Sequence, residues 1–242
     1  MSADDASRLA DTAGFVFKGR VLRRGSAEVE NAVVVEIQEV LKGTDVLRGL
    51  VGGEGIVVGA ESDTVAEGDE YVFFTDCVSL GETAILREHG RREHSRASRR
   101  EVDEAVRVAL DRPLAERIAG ADMIVTGTVT GTKPVEREFP PRSEHDPEWS
   151  IAQVAIESVP KGRSSRKNLE VLYASSIDIA WYRSPKLEEG ASGVFILRVR
   201  DEEEAPEKVP PTVYQATHPL DFLPRDRLPD VERLLGRIVE EG

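Results

Sequence analysis

A repeat constrains this chain more than any other feature, because a segment order that recurs intact implies one folding unit built twice. Ala13-Gly14-Phe15-Val16-Phe17-Lys18-Gly19-Arg20-Val21 reads against Ala121-Asp122-Met123-Ile124-Val125-Thr126-Gly127-Thr128-Val129, keeping the alanine, the glycine, the final valine and the apolar positions. Val33-Val34-Val35-Glu36-Ile37-Gln38-Glu39-Val40-Leu41-Lys42-Gly43 then reads against Ala152-Gln153-Val154-Ala155-Ile156-Glu157-Ser158-Val159-Pro160-Lys161-Gly162. Positions 33, 35 and 37 are apolar in one copy, as are 152, 154 and 156 in the other, the period of two of a half-buried strand. Ile56-Val57-Val58 corresponds to the run from Leu169 to Tyr173, and Glu67-Gly68-Asp69-Glu70-Tyr71-Val72-Phe73-Phe74 to Glu189-Gly190-Ala191-Ser192-Gly193-Val194-Phe195-Ile196.

Each copy closes on a helical stripe. Val102, Ala105, Val106 and Ala109 stand at spacings of three and four, and Val231, Leu234, Leu235 and Ile238 repeat the pattern after the helix-starting Pro229-Asp230. The units are therefore expected at 1–111 and 112–242, joined at Asp111-Arg112-Pro113, with short helical lead-ins at 6–10 and 114–119. The connection between the first two strands differs most: residues 22–31 in copy one, residues 130–150 in copy two, where Pro134, Pro140, Pro141 and Pro147 predict a long irregular loop. Residues 81–98 and 201–211 are also expected to be mobile loops.

About five short strands per unit, a helix at the edge and glycine turns predict a mainly β chain with edge helices, folded as two tandem small barrels of the oligonucleotide/oligosaccharide-binding (OB) type. At residue level, the alanine-rich helix, Phe-Val-Phe-Lys-Gly-Arg-Val, the alternating strand ending Val-Leu-Lys-Gly, and Glu-Gly-Asp-Glu-Tyr-Val-Phe-Phe resemble the bacterial relatives of the tissue-inhibitor-of-metalloproteinases and netrin-module superfamily. The resemblance spans residues 15–75, and more weakly 115–197. It implies an OB-type barrel and a docking role. Inhibitors of that superfamily grip a protease metal through an N-terminal cysteine held by disulfides, whereas this sequence starts Met1-Ser2 and has only Cys77. The inhibitory residues do not carry over.

Composition narrows the function classes. The 242 residues carry 45 acidic and 32 basic side chains, a formal net charge of −13, with 40% hydrophobic residues, enough for packed cores. Apolar runs such as Ala32 to Val35 and Val194 to Leu197 are four residues long, far short of the ~18 of a membrane helix. The N-terminus has no signal-like apolar run, so the chain as given is expected to be cytoplasmic. One cysteine excludes an intrachain disulfide and a thiolate zinc cluster, and with no basic neighbour Cys77 reads as an inert thiol.

No catalytic motif stands out. There is no Gly-x-Ser-x-Gly, and Val51-Gly52-Gly53-Glu54-Gly55 lacks the Lys-Ser/Thr of a phosphate loop. His89 and His94 are five apart, the wrong spacing for a His-Glu-x-x-His zinc site, and with Glu93 they read as a solvated loop; His145, between Glu144 and Asp146, reads likewise. The chain is expected to be no enzyme, with no metal and no cofactor.

Binding is the remaining class. A protein partner is expected to dock on Trp149, Trp181 and Tyr182, large aromatics beside irregular backbone; Trp149 reads equally well as the start of a strand, packed across the barrel. The alternative is single-stranded nucleic acid held by the basic loop carrying Lys161, Arg163, Arg166 and Lys167, with Tyr173, Trp181 and Tyr182 following in sequence as stacking platforms. A second cluster, Arg87 to Arg100, has six arginines against two glutamates. The net charge of −13 weighs against a nucleic-acid partner.

Overall fold

The computed structural model describes residues 3–25, 32–59, 64–136, 145–200, 209–210 and 212–241. The chain divides into two compact units, Met1–Arg112 and Pro113–Gly242.

Unit one contains α1 (Ala3–Thr12), β1 (Phe15–Arg24), β2 (Ala32–Lys42), α2 (Asp45–Arg48), β3 (Glu54–Val58), β4 (Glu70–Ser79), β5 (Ala84–Glu93) and the first part of α3 (Arg96–Ala119). The strands close in the order β1-β2-β3-β5-β4, and β4 returns to β1. All neighbours are antiparallel except β3 and β5, which pair in parallel from Gly55↔Ala84 to Val58↔Arg87. Phe15, Phe17 and Phe73 stack inside the barrel at centroid separations of 4.9 and 5.3 Å, among Val33, Val35, Ile37, Val57 and Leu86. The unbroken apolar run Phe15-Val16-Phe17 follows from burial on both faces, since Val16, Val72 and Phe74 point outward under α1 and the Val102, Ala105, Val106 stripe of α3.

Unit two contains the end of α3, then β6 (Met123–Pro134), β7 (Trp149–Lys161), β8 (Asn168–Ala174), β9 (Ser192–Val199), β10 (Tyr214–Gln215), β11 (Phe222–Pro224) and α4 (Leu228–Glu241). Here β6-β7-β8-β10-β9 closes on itself, with β8 and β10 parallel. The chain is therefore mainly β, two tandem OB-like barrels. The ten-residue closing strand of unit one becomes two fragments in unit two: β10 pairs with Arg198 and Val199 of β9, and β11 pairs with Gly193 to Phe195 further along the same strand. Between the fragments, backbone N–H groups that a continuous strand would pair must find other acceptors. The fully buried Asp221 carboxylate supplies them, accepting from Thr217 N and His218 N, both at 2.8 Å. It also binds the Arg117 guanidinium from α3 with both oxygens.

The shared Lys-Gly has a common structural role. At the end of β2, Lys42 Nζ donates to Ala10 O at 2.7 Å; at the end of β7, Lys161 Nζ donates to Ile118 O and Ala119 O at 2.8 and 2.9 Å. In each unit the lysine satisfies orphan carbonyls at the C-terminus of the helix that precedes the first strand. Gly162 sits at φ +86°, and a Cβ there would lie 2.9 Å from Asp122 O, so the turn requires glycine.

Three expectations are corrected. Residues 101–119 are not two helices broken at Pro113: α3 is continuous from Arg96 to Ala119, because Val102 and Val106 before the proline are buried in one core and Leu114 and Ile118 after it in another, and that burial outweighs the ~3 kcal/mol cost of an interior proline. Residues 84–93 are a strand, not a mobile loop. Ala84 and Leu86 point inward, while the charges are matched across β4 and within β5, as in Arg91–Glu88 at 3.0 Å and His89–Asp76 at 2.9 Å. The 130–150 loop is shorter than expected, since β6 runs to Pro134, paired with Ser150. Residues 137–144 of that loop, and 201–208 and 211 of the second expected loop, lie outside the described residues.

Two tests follow. Asp221→Ala leaves the Arg117 guanidinium, 13% exposed, without its carboxylate and is expected to cost about 3 to 5 kcal/mol in urea denaturation. Glu70 accepts from Lys18, Gln38 and Arg20, and the Lys18 hydrogen bond foremost pulls its pKa down to about 2 from the ordinary 4.5. A depressed carboxylate stabilises the fold above its unfolded pKa and loses that contribution as pH falls through the folded value. Glu70→Gln is therefore expected to lower the melting temperature at pH 7 and to flatten its decline between pH 4.5 and 2.

Candidate functional site

Unit two carries two surface features built from the residues singled out in the sequence, and its strands hold them apart. Trp149 opens β7, paired with Ala174 at the end of β8. Arg163, Arg166 and Lys167 lie in the turn between the end of β7 and the start of β8 at Asn168. The seven residues of β8 thus separate the two groups by roughly 20 Å.

The aromatic feature is the connection from β8 to β9. Trp181 packs edge-on against Trp149, centroids 5.8 Å apart at 60°, and its indole Nε1 donates to His145 O at 2.8 Å. Trp149 is half-buried beside Val135, Ile151, Leu172, Val209 and Val213, which matches the strand-packing alternative for that ring. Several polar contacts brace the loop. Asp178 accepts from Ala180 N at 2.8 Å and lies 3.1 Å from His145 Nδ1; the Ala180 N–H first, and His145 second, hold its carboxyl below the usual range. Lys186 Nζ donates to Ala174 O and Trp181 O, and buried Leu187 anchors the exit of the loop in the barrel core. Beyond this base the apolar side chains face water: Ile177, Ile179 and Tyr182 are 89%, 77% and 55% exposed. Arg183 Nε donates to Tyr182 Oη at 2.7 Å, holding the ring's edge.

Ile177 and Ile179 escaped the sequence reading. Their spacing of two is that of one strand face, so nothing in the pattern marked them as solvent-facing. His145, which reads as a solvated loop residue, is exposed in a turn and also takes part in the brace. Tyr173, expected as a stacking platform, is 6% exposed inside the barrel, because its neighbours in β8 alternate and place it on the inner face.

The basic feature is a cavity of about 420 Å³ at the rim of the barrel. Its floor includes Met123 and Leu169, and its walls Arg163, Arg166, Asn168 and Tyr214. The opening has a structural origin: β10 begins opposite Val171, and among the described residues no strand pairs with Asn168, Leu169 and Glu170 of β8 on that side. Arg163, Arg166 and Lys167 are exposed, and among the described residues no carboxylate pairs with them. Lys161 is not part of this cationic group, because its ammonium is committed to the α3 carbonyls. The cluster from Arg87 to Arg100 is largely neutralised: Arg91 pairs with Glu88, Arg92 with Glu101, and Arg99 with Glu39 and Asp103.

In unit one, His89 faces Asp76 and His94 faces Glu70, two separate carboxylates. Among the described residues no three His, Cys, Asp or Glu side chains are grouped to hold a metal ion, and no helix is long and apolar enough to cross a membrane. Burial raises the Cys77 thiol pKa, which keeps it protonated at neutral pH. No family model matches the chain, and no curated protein matches its sequence.

Asp178→Ala removes the acceptor of the Ala180 N–H and the His145 contact together. Amide exchange at Ala180 is expected to accelerate at least tenfold while exchange in β7 and β8 stays unchanged, as read by hydrogen-deuterium exchange.

Proposed function

We propose that this chain is a non-catalytic binding protein that docks another protein, with the loop at residues 175–186 of unit two as its docking element. One observation carries the reading: Ile177, Ile179 and Tyr182 stand exposed on a segment whose backbone is tied down by Asp178, Lys186 and the Trp149–Trp181 pair. Apolar side chains clustered in water favour a partner surface, and a braced loop loses little conformational entropy on binding. Trp181 belongs to the base of this element and Tyr182 to its exposed tip.

Kinship with the netrin-module superfamily is part of the same proposal. The closure order β1-β2-β3-β5-β4, repeated in unit two, supports an OB-type docking module, and the single cysteine favours docking by a barrel loop over a disulfide-held edge. Fold likeness alone warrants no activity. Single-strand nucleic-acid binding is the weaker reading, because the exposed aromatics and the basic turn lie at opposite ends of β8 and Tyr173 is internal.

Ile177→Glu combined with Ile179→Glu changes only exposed side chains and is expected to leave the melting temperature within about 2 °C of the parent. From a nuclease-treated native lysate, the parent is expected to retain a stoichiometric protein that the variant loses at least tenfold. Equal recovery on both would remove this loop as the docking element.

A further inference from the structure

We propose that the rim cavity of unit two is a binding site for a small organic anion, a phosphate or carboxylate carried on an apolar or aromatic body. The site is independent of the docking loop, since it opens at the other end of β8.

The two barrels close differently at this rim. In unit one, β5 begins opposite Gly55, the second residue of β3, so the barrel wall is filled from near its lower edge. In unit two the partner of β8 starts two residues later, at Tyr214 opposite Val171, the fourth residue of β8, and a cavity of about 420 Å³ occupies the missing stretch. That volume lies within the usual range for small-molecule sites, and its mix of an apolar floor with a few polar groups is the usual composition.

Charge selects the ligand class. Arg163 and Arg166 line the cavity, with Ser164 and Ser165 between them in sequence, and among the described residues neither arginine has an ion-pair partner. In a chain of net charge −13, two uncompensated arginines beside one concavity form a local positive potential that an anion would neutralise. The one carboxylate in the lining, Glu170, is already engaged, accepting from Gln153 Nε2 at 2.9 Å and Lys133 Nζ at 3.1 Å. Its charge is therefore largely offset before a ligand arrives.

The turn that carries the arginines is held in place. Lys161 is clamped to the end of α3, Gly162 takes a left-handed conformation against Asp122 and Met123, and Ser164 Oγ accepts from Arg166 N at 3.1 Å. Leu169 and Met123, both nearly buried, and the half-buried Tyr214 offer the apolar surface for the body of the ligand.

The test uses phenyl phosphate and benzoate as probes, with benzyl alcohol as the neutral control, by isothermal titration calorimetry on the full chain. Phenyl phosphate or benzoate is expected to bind at one site per chain, the stronger of the two identifying the anionic group, while benzyl alcohol binds at least tenfold more weakly. Arg163→Glu combined with Arg166→Glu is expected to weaken the anion by roughly 100-fold, each charge-assisted contact contributing about tenfold. Arg24→Glu combined with Arg48→Glu, an equal charge change on exposed positions of unit one, is expected to leave affinity within twofold. Tyr214→Phe, which keeps the ring, is expected to leave affinity within about threefold. The proposal is overturned if neither anion gives saturable one-site binding below about 10 mM, or if the Arg163/Arg166 variant binds as the parent does. A twelve-nucleotide oligothymidine that binds more tightly than either probe, with affinity falling steeply as salt rises, would overturn it in favour of a nucleic-acid interface.

Discussion

Closure of each barrel rests on one short parallel pairing, β3 with β5 in unit one and β8 with β10 in unit two. Every other neighbour in the two rings is antiparallel, and without the parallel pair each sheet would be left with two open edges, each presenting unpaired backbone groups. Four residues of each strand form this seam in unit one, and two in unit two. The consequence runs through the second unit. A seam of two residues leaves part of β8 uncovered at one end and leaves the continuation of β10 unable to follow β9. The buried Asp221, held by Arg117 and by two backbone N–H groups, replaces the pairing lost at that break, and β11 resumes it.

The same unit has departed from its sister wherever it presents a surface. In unit one, Arg99 bridges Glu39 and Asp103, and Arg92 reaches Glu101. Unit two keeps two arginines unpaired beside a cavity and carries bare isoleucines on a braced loop. The separation imposed by β8 makes them two distinct surfaces, so occupancy of one does not sterically require the other.

The repeat in the primary structure already contained most of the architecture. Alternation at 33, 35 and 37 and at 152, 154 and 156 placed β2 and β7, and the two Glu-Gly turns located the starts of β4 and β9, because burial of one sheet face has a period that survives in a single sequence. The paired Lys-Gly was visible as a match, but its reason was not: the lysine acts across 32 residues in one unit and 42 to 43 in the other, a separation that local pattern cannot register. β5 was read as a loop because its outward face is so highly charged, and its strand character is evident only once Asp76 and the inner barrel wall are beside it. Pro113 was read as a break for a similar reason, local preference being overridden by burial on both sides of it.

For the candidate sites the division is sharper. Residue types at Trp149, Trp181, Tyr182, Arg163 and Arg166 were enough to nominate them, since large aromatics and clustered cations are uncommon in so acidic a chain. Their grouping was decided in three dimensions. Short sequence distance between Lys167 and Trp181 suggested one combined surface, yet an extended strand advances about 3.3 Å per residue and carries them to opposite ends of the barrel wall. Composition and periodicity determined that this protein is two small β-barrels with edge helices, because burial of apolar faces is a local, repeating demand. Which side chains are spent on the fold and which remain exposed depended on contacts between residues far apart in the chain, and those exist only in the tertiary structure.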